Sequence, residues 1–186
     1  MDALILAVPA QLTRAMCRDV RAMGTRAPII LAAKGIELGT SSLLANVVAE
    51  ELPDHPVALI SGPSFAGEVA RGLPTALTLA MRDKVMGEKL AAAMASPAFR
   101  LYLTDDVTGV QVGGAIKNVL AIACGIVVGR ALGENARAAL MTRGLAEIIR
   151  LGLAMGGRAE TLMGLSGLGD VALTCSSPQS RNMALG

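Results

Sequence analysis

Lysine is scarce in this 186-residue chain: four lysines stand against thirteen arginines. Two of them, Lys34 and Lys117, sit beside glycines in Ala33-Lys34-Gly35 and Gly113-Gly114-Ala115-Ile116-Lys117-Asn118. The residues after Asn118 are wholly apolar, so an amine at position 117 is partly desolvated and its pKa falls toward that of a useful general base. A lysine at the end of a buried helix, reaching out to water, gives the same pattern. Lys34 follows a short apolar run and projects from the carboxyl end of a strand, where α/β sheets bind ligands; a snorkelling surface lysine is the competing reading.

Further polar groups lie in turns. Ser61-Gly62-Pro63-Ser64-Phe65-Ala66 joins a strand to a helix, so its amides and hydroxyls either meet a polar or anionic ligand or form an ordinary capped turn. Gly167-Leu168-Gly169-Asp170-Val171-Ala172 matches G-x-G-x-x-A on paper. It lacks both the buried strand before it and the acidic ribose partner after it, and is rejected as a dinucleotide fingerprint. Asp170 is instead a lone carboxylate able to orient an amine or a hydroxyl. Ser180-Arg181-Asn182 adds a guanidinium suited to phosphate. No nucleophile and base of hydrolase type is visible. His55, the only histidine, lies in the turn-like Pro53-Asp54-His55-Pro56 and reads as a solvated loop. Together the set suits a small phosphorylated, hydroxylated molecule with an amine as base.

These groups need a scaffold, and the pattern supplies an α/β one followed by an all-α one. Ala3 to Val8 reads as a strand buried on both faces and ended by Pro9. Leu12, Met16, Val20 and Met23 form the apolar stripe of a helix whose other face carries Arg14, Arg18 and Arg21. Ile29 to Ala33 is a second strand, and Thr40-Ser41 can cap a helix carrying Leu43, Leu44, Val47 and Val48. Val57 to Ile60 is a third strand, with a short helix to about Ala70. Thr75 to Ala80 reads as a strand, Asp83 starts a helix to about Ala95, and Phe99 to Leu103 is the last strand. From Val107 only helices are expected, two of them long (about 107–130 and 134–155), which puts a domain boundary near Asp106. The opening strand comes without the Gly-rich phosphate turn that starts most nucleotide-binding α/β domains, so the chain reads as the later part of a larger fold.

Composition excludes other classes. A formal charge of +2 and only three aromatics provide neither a phosphate-neutralising patch nor stacking platforms, so nucleic acid is not expected as a partner. The longest uncharged apolar run, Val119 to Gly129, falls short of the roughly 20 residues a spanning helix needs, and no basic signal start is present. A cytoplasmic location without a transmembrane segment is expected. Cys17, Cys124 and Cys175 are odd in number and widely spaced, which suggests core thiols and no metal site.

Taken in order, AAKGIE, ISGPSFAGEVARGLPTA, GVQVGGAIKNVLAIACGI, NARAALMTRGLAEI, GLSGLGDVALTC and SRN resemble the bacterial-type NAD(P)-dependent glycerol-3-phosphate dehydrogenases, from Ala3 to Asn182. The resemblance implies a truncated Rossmann-type parallel sheet, residues 1–106 being the C-terminal part of an NAD(P)-binding domain. Residues 107–186 would be the N-terminal part of a helical substrate domain of the 6-phosphogluconate dehydrogenase C-terminal type. It implies interconversion of sn-glycerol 3-phosphate and dihydroxyacetone phosphate with NAD or NADP, in bacteria for phospholipid synthesis, and a possible homodimer. Carried over residue by residue, Lys117 is the general base, with Asn118 and Asp170 beside it and Lys34 polarising the same oxygen. Gly62, Ser64, Thr174, Ser180, Arg181 and Asn182 join the lysines and Asp170 as substrate positions; Lys34, Ala66 and Arg181 meet the cofactor. Two other readings compete: a hydroxyacid or imino-acid dehydrogenase of the same superfamily, and a non-catalytic module that binds a phosphorylated polyol or a partner chain.

Overall fold

In the computed structural model, which describes residues 2–186, the short apolar runs Leu4–Leu6 (β1), Ile29–Leu31 (β2) and Val57–Ser61 (β3) pair in parallel. Alternation on these strands divides the sheet's neighbours. Ile29, Leu31 and Leu59 pack with Cys17 and Val20 of the helix Thr13–Ala22 (α1) and with Leu44 and Val48 of Leu44–Glu51 (α2). Ile30, Ala58 and Leu79 face the other way, against Leu90 of Lys84–Met94 (α4, which follows the short α3, Ala66–Ala70). Asp83 caps α4 by accepting the Met86 amide hydrogen, as expected from sequence.

The sheet continues with Thr75–Ala80 (β4) and Phe99–Thr104 (β5) in the order β1-β2-β3-β4-β5. It is parallel except at one pair, because β4 runs antiparallel to β3. A parallel return needs a crossover that travels the length of a strand, usually a helix of some size. The five-residue α3 is too short for that, so the chain turns back beside β3, whereas the 11-residue α4 carries it across to a parallel β5.

Four local expectations are corrected. β1 is an edge strand buried on one face only: Ile5 is 56% exposed because α4 covers its sheet neighbour Ile30 and stops short of it. The buried stripe of α1 is Thr13, Cys17 and Val20; Leu12 and Met23, at 53% and 72% exposed, lie just outside the helix. Thr40-Ser41 does not cap α2, whose N-cap is Leu43 without a side-chain bond. Thr40 instead donates its hydroxyl hydrogen to Glu37 at 2.6 Å. That carboxylate also takes Arg14 at 2.8 Å, and the guanidinium holds its pKa down to about 2. Arg14, Arg18 and Arg21 all reach Glu51, so the polar face of α1 is an ion-pair seam to α2. His55 is in its turn, but both ring nitrogens are buried and lack hydrogen-bond partners among the described residues.

After β5 every element is helical: Val107–Gly129 (α5), Glu134–Ala154 (α6), Ala159–Met163 (α7), a π turn at Leu165–Gly169, Asp170–Ser176 (α8) and Arg181–Leu185 (α9). Leu120, Ala121 and Cys124 of α5 pack on Ile148 of α6, Leu162 of α7 and Val171 and Cys175 of α8. Gly125 has no side chain, which lets the α9 backbone at Met183 lie against α5. By length and composition α5 is apolar enough to cross a membrane. Its residues are instead shared out among α6, α8 and α9, and Lys117 lies near its middle. All three cysteines are free and buried, Cys17 in the sheet half and Cys124 and Cys175 in the helical half.

One carboxylate at the boundary ties the start of α5 to the start of α7. Asp106 accepts the Gly109 amide hydrogen at 2.8 Å, capping α5, and with its other oxygen accepts the Arg158 amide hydrogen at 2.8 Å before α7. Replacing it by alanine removes a cap and orphans a second amide. Asp106→Ala is expected to lower stability by about 2–4 kcal/mol, measured by urea denaturation against Asp83→Ala, which loses a cap alone.

Candidate active site

Asp170 opens α8 directly after the π turn and is 2% exposed. Two lysines reach its carboxylate from elements remote in sequence. Lys34, from the segment after β2, places Nζ 2.5 Å from Oδ2; Lys117, from the middle of α5, places Nζ 2.5 Å from Oδ1. Lys117 also donates to Thr174 Oγ1 at 3.0 Å, and that hydroxyl donates to Asp170 Oδ1 at 3.2 Å. Thr174 lies one turn after Asp170 on α8, so the pair presents both oxygens on one helix face.

Close backbone contact makes this convergence possible. Gly113 lies where a methyl would stand 2.6 Å from the Ser166 carbonyl oxygen, so α5 touches the π turn. Gly114 lies where a methyl would stand 3.3 Å from Cγ and Cδ of Lys34. The Gly-Gly pair therefore lets Lys34 pass over α5 to reach Asp170. A π turn inserted before a helix re-aims the side chains that follow it, here Asp170.

Charge balance in this cluster is uneven, with two amines around one carboxylate. Burial lowers the pKa of Lys117 below its ordinary value of 10.5, and the positive charge of Lys34 lowers it further against the opposing pull of Asp170. The neutral amine, the form able to take a proton, is thus easier to reach than on a free lysine. Because the unfolded chain binds that proton more tightly, this group's contribution to stability is fully present above pH 10.5. It is lost as pH falls through the window down to the depressed folded value.

The amines open onto a cavity of about 630 Å³. Its lining brings together ten of the residues expected from sequence: Lys34, Ser64, Ala66, Lys117, Asn118, Asp170, Thr174, Ser180, Arg181 and Asn182. Gly62 is not among them. Its positive φ of 144° shapes the turn, and a methyl there would meet Leu77 of β4 at 2.9 Å, so its part is in the sheet. Ser180 spends its hydroxyl capping α9, accepting the Met183 amide hydrogen at 3.3 Å. Asn182 donates to Asn118 Oδ1 at 2.8 Å, which ties α9 to α5 at the cavity floor. Phe65, Gly67, Leu173 and Gln179 also line it and were not singled out from sequence. The helical spacing of Leu173 to Asp170 and the adjacency of the others to named residues were the available signals.

A second cavity of about 590 Å³ lies between β4, β5 and α7. Its one cation, Arg158, is already paired with Asp105. No pair of amines converges there, unlike in the first cavity. Among the described residues no group of three or more His, Cys, Asp or Glu is placed to hold a metal ion.

Residues 1–87 match the family model described as NAD-dependent glycerol-3-phosphate dehydrogenase N-terminus, and residues 106–186 match the one described as its C-terminus. A glycerol-3-phosphate dehydrogenase [NAD(P)+] of Paramagnetospirillum magneticum is 60% identical over 183 residues, which cover 97% of this chain and 66% of the relative. One from Methylobacterium radiotolerans is 59% identical over 186 residues, or 99% and 56%. The crystal structure of glycerol-3-phosphate dehydrogenase from Coxiella burnetii superposes with a TM-score of 0.92 at 45% identity, covering 96% of this chain and 55% of that one. The chain thus spans less than two thirds of the length of the relatives it matches.

Two outcomes follow from the shared carboxylate. Asp170→Asn leaves two amines facing each other and is expected to cost about 3–5 kcal/mol; adding Lys117→Met should recover part of that loss in chemical denaturation. Lys34→Met removes a repelling charge, so the Lys117 pKa should rise, as read from lysine 13Cε chemical shifts against pH. An unchanged or lower value would contradict this account of the site's electrostatics.

Proposed function

Because the chain belongs to the NAD-dependent glycerol-3-phosphate dehydrogenase family, we propose that its cavity binds sn-glycerol 3-phosphate and dihydroxyacetone phosphate and interconverts them with a nicotinamide cofactor. The observation that carries this reading is the Lys34–Asp170–Lys117 bridge at the floor of a cavity whose rim holds Arg181.

In the oxidising direction the neutral amine of Lys117 takes the proton of the C2 hydroxyl while the C2 hydride departs. In the reducing direction the Lys117 ammonium returns that proton to the carbonyl oxygen. Asp170 and Thr174 hold Nζ of Lys117 on a fixed line, so the proton moves along a preset hydrogen bond. The ammonium of Lys34 stabilises the negative charge that develops on the same oxygen. Arg181 anchors the phosphate, and binding energy gained there positions C2 over the amine. Asn118, held by Asn182, offers its amide hydrogens to the substrate hydroxyls.

The wall formed by Phe65, Ala66 and Gly67 suits a flat ring: position 66 is small, and a methyl on Gly67 would meet nothing within 4 Å. Lys34, Ala66 and Arg181 are the residues that would hold NAD or NADP at its nicotinamide end. When bound, the cofactor supplies the hydride acceptor or donor. The Arg181 guanidinium meets more negative charge on a phosphate dianion than on the single carboxylate of a hydroxyacid or imino-acid substrate.

The test is oxidation of NADH or NADPH with dihydroxyacetone phosphate. Lys117→Met is expected to lower turnover by about 10²–10⁴-fold with the fold intact by circular dichroism. Arg181→Ala should raise KM for dihydroxyacetone phosphate and leave the rate with unphosphorylated dihydroxyacetone nearly unchanged. Faster turnover of the unphosphorylated compound by the unaltered chain would overturn the phosphate assignment. Calorimetric binding of glycerol 3-phosphate without turnover would reduce the reading to a substrate-binding half.

A further inference from the structure

Beyond the Leu31–Leu59 pair the β2–β3 ladder ends, and the two parallel strands diverge toward Ala33 and Ser61. α5 closes the resulting wedge. Lys34, Ser61, Gln111 and Gly114 are among its lining residues, and its free volume is about 10 Å³, room for one water molecule.

Two of the residues that line it carry polar side chains, Ser61 and Gln111. Ser61 is 5% exposed, and its Oγ has no hydrogen-bond partner among the described residues. A buried hydroxyl of that kind calls for a partner. Gln111 enters from α5; its Oε1 accepts the Ala45 amide hydrogen at 2.8 Å, which fixes the orientation of the amide and leaves Nε2 to donate. A methyl on Gly114 would stand 3.1 Å from Ser61 Oγ and 3.3 Å from Cγ and Cδ of Lys34. Hydroxyl, lysine stem and α5 therefore meet at one point.

We propose that Ser61 and Gln111 hold a single buried water in this wedge, and that the bridge fixes the stem of Lys34 within reach of Asp170. A buried water needs at least two polar partners, and these side chains supply them. The water joins two of the pieces of chain that carry the site, the end of β3 leading into the Ser64 turn and α5 with Lys117, and the Lys34 stem of the third packs at the same wedge. Ser61 and Gln111 are positioning residues that act through Lys34 and touch no substrate. The kinetic consequence rests on the lysine chemistry proposed above; the water site itself does not.

Two measurements test it on the full chain. A high-resolution crystal structure should show ordered density within hydrogen-bonding distance of Ser61 Oγ and Gln111 Nε2, retained in Ser61→Thr and lost in Ser61→Ala. With only four lysines to assign, lysine 13Cε spectra should show the Lys34 signal displaced in Ser61→Ala. The Lys117 titration should move upward there as the repelling charge shifts away, with Ser61→Thr restoring both. Where the chain turns over, kcat should fall about 10- to 100-fold with a matching shift of its pH profile. Should Ser61→Ala fail to fold, Gln111→Met reads the same two signals. An empty wedge beside other well-ordered buried waters would overturn the proposal. So would lysine titrations in Ser61→Ala or Gln111→Met that match the unaltered chain. An inactive chain that keeps the water and the coupled titrations supports it while removing the dehydrogenase reading.

Discussion

The carboxylate of Asp170 is the point on which this molecule turns. It is nearly inaccessible to water, and it binds one amine from the sheet half and one from the helical half. Either amine alone would form a simple ion pair. Together they leave a net positive charge at the base of a cavity, which makes one amine easier to deprotonate. The close approach at Gly113 and Gly114, the π turn before Asp170 and the divergence of β2 from β3 all serve to bring three side chains within hydrogen-bonding distance.

α5 supplies much of the frame. Its first turn is capped by Asp106, its Gly-Gly step admits Lys34, its middle carries Lys117 and Asn118, and its last turns receive α9. Its Leu120, Ala121 and Cys124 belong to the core of the helical half, while Val110, near its start, packs into the core of the sheet half. Burial of those residues desolvates Lys117 as well, so packing and reactivity arise from one set of contacts.

Much of this was legible in the residues. Apolar runs and helical periodicity placed β2 to β5 and the two long helices to within two residues at each end, because those segments obey local rules. The unusual surroundings of Lys34 and Lys117, and the lone carboxylate of Asp170, singled out the three side chains that the fold brings together. The resemblance to a family supplied the roles proposed for them. Sequence did not show that Lys34 and Lys117 meet on one carboxylate, because their separations from it, 136 and 53 residues, are closed only by the tertiary fold. The reversed β4 depends on how far a five-residue helix can carry the chain, and the exposed Ile5 on where α4 stops. That Gly62 packs against Leu77 of β4 and stays outside the cavity lining was not legible, because a turn glycine reads the same in sequence whether it faces a cavity or a neighbouring strand.

The distribution of the thiols has a practical consequence. Cys17 lies in the core beneath the sheet, while Cys124 and Cys175 lie among the helices, with Cys175 immediately after Thr174. Burial pushes the Cys175 thiol up to about 12, and it raises the pKa of the other two as well. Alkylating reagents act on thiolates that they can reach, so these three groups stay silent until their surroundings open. The rate at which each cysteine is modified therefore records the opening of its own half. A single mass spectrum taken over time reports whether the sheet or the helical frame of the site gives way first.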